Sequence, residues 1–127
     1  MATWSELKSF VKSNYKVAHE SDGALMLGFN TVDDRSQVIM VIHVEQDFAP
    51  DFVTFASTVA KVGSVPAEKV MAEARIFGVG VFDDEYVVKD IVFLDDLDPS
   101  EVNSQFNLVA MAADLMEARL TGGGDQH

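Results

Sequence analysis

The sequence predicts one α+β domain, in which an antiparallel sheet of five to six strands packs with three helices. Several short segments lie between tight polar turns. They either alternate apolar with polar residues or are rich in apolar residues, which is typical of antiparallel strands. Three other segments carry apolar residues at helical spacing behind capping signals. The resulting order is α-β-β-β-β-α-β-β-α, and the first strand could be short. Residues 1–121 should form a single domain, because no linker, repeat or composition break divides the 127 residues.

The first half of the chain should supply one helix and four strands. Thr3 and Glu6 form a capping box that opens a short helix ending near Asn14. A strand over 15–21, a turn at Asp22-Gly23 and a returning strand over 24–30 follow. A polar turn at 32–34 leads to 36–45, the most strand-like segment, which we expect at the sheet centre. After 48–50, β-branched and aromatic residues predict a fourth strand over 52–62.

The second half should supply a helix, a hairpin and a long final helix. Pro66 opens a helix over 66–77 that Gly78 ends, and strands over 78–82 and 85–94 form the hairpin. Asp98, Pro99 and Glu101 then have the spacing of a helix start. The apolar stripe of this helix comprises Val102, Phe106, Val109, Ala113, Met116 and Leu120. Glycines 122–124 should end it, leaving 122–127 as a flexible tail.

Two features indicate more apolar surface than one compact monomer needs. Leu108, Ala112 and Leu115 form a second apolar line on the final helix, which predicts a second contact there. The central strand is apolar on both faces, since Ile39 and Val41 alternate with Met40 and Ile42. Either helices cover both sides of the sheet, or the second face is a binding or dimerisation surface.

Composition excludes several classes of function. The chain has no cysteine, so it has no disulfide, thiolate zinc site or cysteine nucleophile. Its net charge of −12 opposes binding to nucleic acid and to anionic membrane surfaces. No apolar run approaches the length of a membrane span, and the N-terminus lacks a signal-peptide pattern. We therefore expect a cytoplasmic protein.

Titratable residues give no recognisable catalytic or metal motif. His43 could act as a base, but a hydrogen-bonded structural role is the simpler interpretation. Asp90 interrupts an apolar strand, where a buried carboxylate would suit acid-base work, although an edge position facing water is more common. No metal-ligand spacing and no nucleotide-binding loop is present in a suitable context. We expect no catalytic residue, no metal and no cofactor.

Short residue patterns resemble the YbjN-like proteins, small bacterial domains with the fold of type III secretion chaperones. The patterns are Leu108-Val109-Ala110, Ala113-Asp114, Glu117 and Leu120 in the final helix, Arg35-Ser36-Gln37-Val38 at the central strand, and Phe55-Ala56-Ser57 in the next. The resemblance implies a secretion-chaperone-like fold. It also implies a non-enzymatic, chaperone-like or regulatory role in holding a partner polypeptide, often as a homodimer.

These observations predict a module that binds a protein or peptide and is not an enzyme. The expected partner or dimer surface comprises Ile39, Val41, Leu108, Ala112 and Leu115. An alternative is a small apolar ligand-binding domain or enzyme with a pocket near Asp90, Tyr86 and His43. A third is a homodimeric structural subunit with no separate ligand.

Overall fold

A computed structural model describes residues 1, 3–31, 35–45, 51–75 and 77–121. The elements follow the predicted order: α1 (Trp4–Asn14), β1 (Val17–Ser21), β2 (Ala24–Asn30), β3 (Ser36–Val44), β4 (Phe52–Lys61), α2 (Ala67–Ala74), β5 (Gly78–Phe82), β6 (Glu85–Phe93) and α3 (Pro99–Thr121). The α+β prediction is thereby confirmed. The predicted turn at 32–34, the segment 48–50 and the tail at 122–127 lie outside the described residues.

The six strands form one antiparallel sheet in the order β1-β2-β3-β4-β6-β5. β3 lies in the interior of the sheet, as its continuous apolar character predicts. Met40 of β3 pairs with Met26 of β2 on one side and with Ala56 of β4 on the other. Because directly paired residues point to the same side of a sheet, these registers determine which residues share a face.

All three helices cover the same face of the sheet. The main buried cluster combines residues from every helix, including Leu7 of α1, Val70 of α2 and Phe106 of α3. On the sheet side it contains Ile39 and Phe55. Met40, Ala56 and Val87, which point to the other side, form a separate small cluster. The central strand is therefore apolar on both faces although helices cover only one of them.

Side-chain caps and ring contacts position the outer helices. Thr3 Oγ1 accepts a hydrogen bond of 3.1 Å from the Glu6 backbone N–H, and α1 begins after it as predicted. The ring of Phe106 on α3 lies 4.9 Å from those of Tyr15 and Phe29 and 5.5 Å from that of Phe55. This aromatic cluster fixes α3 across the sheet, since such pairs add to the free energy gained by burying the rings.

Two lysines connect α1 to the first hairpin. Lys8 Nζ and Lys12 Nζ lie 3.1 and 2.9 Å from the carboxylate oxygens of Glu20 on β1. Hydrogen bonds from Lys12 and then Lys8 hold the pKa of Glu20 below its ordinary value. The indole N–H of Trp4 also donates to the Asp22 carbonyl at 2.8 Å. α1 is thus fixed at both of its ends.

The second helix is shorter than the sequence predicts. Its apolar spacing suggested a helix extending to Phe77, whereas α2 ends at Ala74. Arg75 has a positive φ of 55°, a value outside the helical region, so the regular hydrogen-bond ladder stops there. The chain then enters β5 at Gly78, where a Cβ would lie 3.1 Å from the Lys89 carbonyl oxygen.

Candidate functional site

The sheet face without helical cover, here called the open sheet face, carries large exposed apolar side chains. Its most exposed members are Met26 (37%), Val38 (48%), Phe82 (44%), Ile91 (52%) and Phe93 (46%). The registers place them on one side, since Met26 pairs with Met40 and Ile91 pairs with Thr54. Isolated exposed apolar residues are ordinary, but a continuous group on one face usually indicates an interaction site.

The open sheet face is concave. One depression of about 310 Å³ is lined from five strands, by Met26, Val38, Met40, Thr58, Phe82 and Glu85 among others. In a flat sheet β2 and β5 would lie four strand spacings apart, roughly 19 Å. Phe82 and Met26 line the same depression, so the sheet curves towards this side. Phe82 also lines two adjoining depressions of about 110 and 260 Å³.

This surface is largely apolar and also carries charged side chains, of which Lys89 lies on an interior strand. Asp83 and Glu85 line the largest depression beside Phe82, and Lys89 lines a neighbouring one. Met26 and Met40 also line the largest depression, and methionine side chains adapt to ligands of different shape because they are unbranched and polarisable. The surface therefore suits an irregular apolar segment.

A second apolar surface lies on α3. Leu108, Met111 and Leu115 are 44%, 50% and 48% exposed, and we refer to these three residues as the α3 stripe. They recur at helical spacing on the side turned away from the core; Leu108 and Leu115 belong to the predicted second apolar line, and Met111 does not. Together with Phe77 they line a groove of about 280 Å³.

An ion pair lies beside this groove. Arg35 Nη2 donates to Asp114 Oδ2 at 3.0 Å, and the Asp114 side chain is only 4% exposed. Both residues line the groove. Asp114 Oδ1 has no hydrogen-bond partner among the described residues. It could accept a hydrogen bond from a group that enters the groove.

Residues that carry the sequence resemblance meet in the folded chain. Arg35, which precedes β3, reaches Asp114 of α3, and Ser57 of β4 donates to Gln37 of β3 at 3.2 Å. Ser57 Oγ also lies 2.7 Å from the Val38 carbonyl oxygen. Gln37, Ser57 and Asp114 are all buried. The contacts of Ser57 join β4 to β3, and the contact of Arg35 with Asp114 joins the approach to β3 to α3.

The predicted interface residues fall into two groups. Leu108 and Leu115 are exposed on the α3 stripe, whereas Ala112 is 4% exposed. Ile39 and Val41 are 0% exposed, because their face of β3 is the one that the helices cover. The assignment of the sheet surface to Ile39 and Val41 is therefore corrected, and the accessible side is that of Val38 and Ile42. Alternation alone could not distinguish the two sides, since both are apolar.

The residues of the alternative pocket do not converge. His43 lies on β3 and pairs with Val53, while Asp90 and Tyr86 lie on β6 and pair with Phe55 and Ala60. β4 thus separates His43 from Asp90, which places their backbones about 10 Å apart. Tyr86 is four residues further along β6.

His43 instead lies close to two carboxylates that no sequence motif links to it. Its Nε2 lies 3.1 Å from Asp51 Oδ2, and one ligand atom each from His43, Glu45 and Asp51 lies within 4.8 Å of the others. The ring stacks on Trp4 with centroids 5.2 Å apart and planes at 8°. The pairing of Val44 with Phe52 brings these residues together, although the linear spacing matches no metal motif.

No relative of the chain was found. Neither a family model, nor a curated protein, nor a solved structure matches it. The resemblance to YbjN-like proteins and secretion chaperones stays a prediction.

None of the described helices has the length and apolar character that crossing a membrane requires.

Proposed function

We propose that the protein is a non-catalytic binding module that holds an apolar segment of a partner polypeptide in the open sheet face. The concavity of that face is the observation that carries the proposal. A partner segment lying across β2 to β5 would cover Met26 and Phe82, which line the depression, and Ile91, whose partner Thr54 lines an adjoining one. Burying each such side chain contributes about 1.5–3 kcal/mol before the costs of association.

The α3 stripe is better suited to self-association. A two-fold interface places the same patch of both subunits face to face, so the patch must be complementary to itself. A concave surface meets its own copy poorly, whereas two helices can pack their ridges into each other's grooves. In a homodimer of this kind, Leu115 of one subunit would enter the groove beside Phe77 of the other.

Charge favours partners that carry basic residues beside the apolar segment. The chain has a net charge of −12, and Asp83 and Glu85 lie at the largest depression. Long-range attraction to a cationic peptide would raise the association rate, and salt would weaken the effect.

The same proposal includes a chaperone-like or regulatory role in the cytoplasm. It also includes a relationship to bacterial secretion chaperones.

A panel of labelled peptides tests the binding proposal. The panel has one apolar core sequence flanked either by lysines or by glutamates, and binding is measured by fluorescence anisotropy in low and high salt. We expect the lysine-flanked peptide to bind more tightly and the difference to shrink in salt. Ile91→Glu should weaken binding about tenfold or more, because it places a charge in the apolar contact.

Met71→Glu is the matched control, because Met71 is 64% exposed on α2, on the other side of the sheet. It should bind the peptide as the unmodified protein does. Equal loss of binding in Ile91→Glu and Met71→Glu would contradict the proposal. The proposal would also be contradicted if a fatty acid bound at the open sheet face and no peptide did. That result would favour a protein that binds small apolar ligands.

A further inference from the structure

We infer that His43, Glu45 and Asp51 form a binding site for a divalent transition-metal ion of the zinc type. The site lies on the helix side of the sheet, where β3 ends and β4 begins. It is separate from the open sheet face and from the α3 stripe. The inference is therefore independent of the proposed function.

Strand pairing places the three side chains together. Val44 pairs with Phe52, and His43 pairs with Val53, which is completely buried beneath the helices. Glu45 directly follows the last residue of β3 and Asp51 directly precedes the first residue of β4, so the paired ends of these strands bring both carboxylates close to His43. The three ligand atoms consequently lie within 4.8 Å of one another.

The spacing of the donor atoms suits a small cation. Two ligands bound tetrahedrally to zinc at about 2.0–2.2 Å have donor atoms about 3.3–3.6 Å apart. His43 Nε2 and Asp51 Oδ2 are already 3.1 Å apart. An ion would take the place of the hydrogen shared by these two atoms, with His43 neutral and Nε2 as the donor. Glu45 is exposed, so it can turn towards the ion without disturbing the core.

The imidazole is ordered before any ion arrives. Its side chain is 11% exposed, and the indole of Trp4 stacks on it at 5.2 Å. Trp4 is itself fixed by its hydrogen bond to the Asp22 carbonyl. Binding of an ion would therefore cost little side-chain entropy at His43, because the imidazole is already held in position. The nearby cation of Lys8 is paired with Glu20, which reduces its repulsion of a metal ion.

The donor set selects among metals. One imidazole nitrogen and two carboxylates suit zinc and similar first-row ions, whereas magnesium and calcium prefer six or more oxygen ligands. Only three protein ligands are involved, so water would fill the remaining position. An ion held by both Glu45 and Asp51 would connect the end of β3 to the start of β4, and it would stabilise the folded chain by mass action.

Zinc titration of the full untagged chain tests the inference. Trp4 is the only tryptophan, so its fluorescence reports on the ring stacked against it, and calorimetry gives the stoichiometry. We expect one equivalent to bind and the thermal midpoint to rise. His43→Gln and Asp51→Asn should each weaken zinc affinity by at least about tenfold, since removing a group that only hydrogen-bonds to a metal ligand already costs about that much.

His19 provides the matched control. His19→Gln should leave the zinc affinity within about twofold of the unmodified value, because this histidine does not belong to the cluster. Glu45→Gln tests whether misfolding explains a loss of zinc binding. Because Glu45 is exposed, this substitution should lower the zinc affinity without changing the circular dichroism of the zinc-free protein. Undiminished zinc binding by His43→Gln, or no binding by the unmodified chain, would overturn the inference.

Discussion

Among the ion pairs of the described residues, that of Arg35 and Asp114 has the most buried carboxylate. It joins the approach to β3 with the middle of α3, and the side chains are 23% and 4% exposed. A buried carboxylate without its partner would be costly, whereas an apolar pair of similar volume can be tolerated. The pair therefore determines how α3 is positioned more than it determines net stability.

A double-mutant cycle tests this role of the pair. Arg35→Met leaves the Asp114 carboxylate buried without its cation, and we expect a loss of about 3 kcal/mol in the free energy of unfolding. Asp114→Leu removes the acceptor and should cost less, because Arg35 keeps access to water. The double variant should be more stable than Arg35→Met, as measured by urea denaturation. Additive losses would indicate that the two side chains do not interact.

At the scale of the elements, α3 is the helix whose start the sequence determines best. The Glu101 backbone N–H donates to Asp98 Oδ1 at 2.9 Å, the cap that the spacing of Asp98 and Glu101 predicts. Asp98→Ala should destabilise the protein by about 1 kcal/mol through loss of this bond. Ser100→Ala, an exposed change in the same turn, is the control and should have little effect. Equal thermal midpoints for the two variants would contradict a capping role.

Most elements were predictable because their signals are local. The strand over 78–82 has the predicted bounds, and the bounds of β2 also agree. α2 was predicted too long because its apolar spacing continues to Phe77, while the backbone turn at Arg75 depends on how the chain enters β5. Similarly, the two sides of β3 have equal apolar character, and only the placement of the helices decides which one stays accessible.

At the scale of the whole molecule, the candidate surfaces were predictable only in part. The α3 stripe follows from helical spacing within one segment, so Leu108 and Leu115 were identified correctly as lying on one line. The open sheet face needs residues from five strands, and the cluster of His43, Glu45 and Asp51 needs the register between β3 and β4. Such contacts between distant segments carry no local signal.

The two apolar surfaces should be separable by experiment because they lie on opposite sides of the molecule. Leu115→Asp places a charge in the α3 stripe, and we expect it to convert the proposed dimer to a monomer because burying an unpaired carboxylate is unfavourable. Sedimentation velocity over a range of concentrations measures the change. Peptide binding at the open sheet face should persist in this variant, while Ile91→Glu should remain dimeric and lose the peptide. A Leu115→Asp protein that sediments as the unmodified chain does would exclude the α3 stripe as the dimer interface.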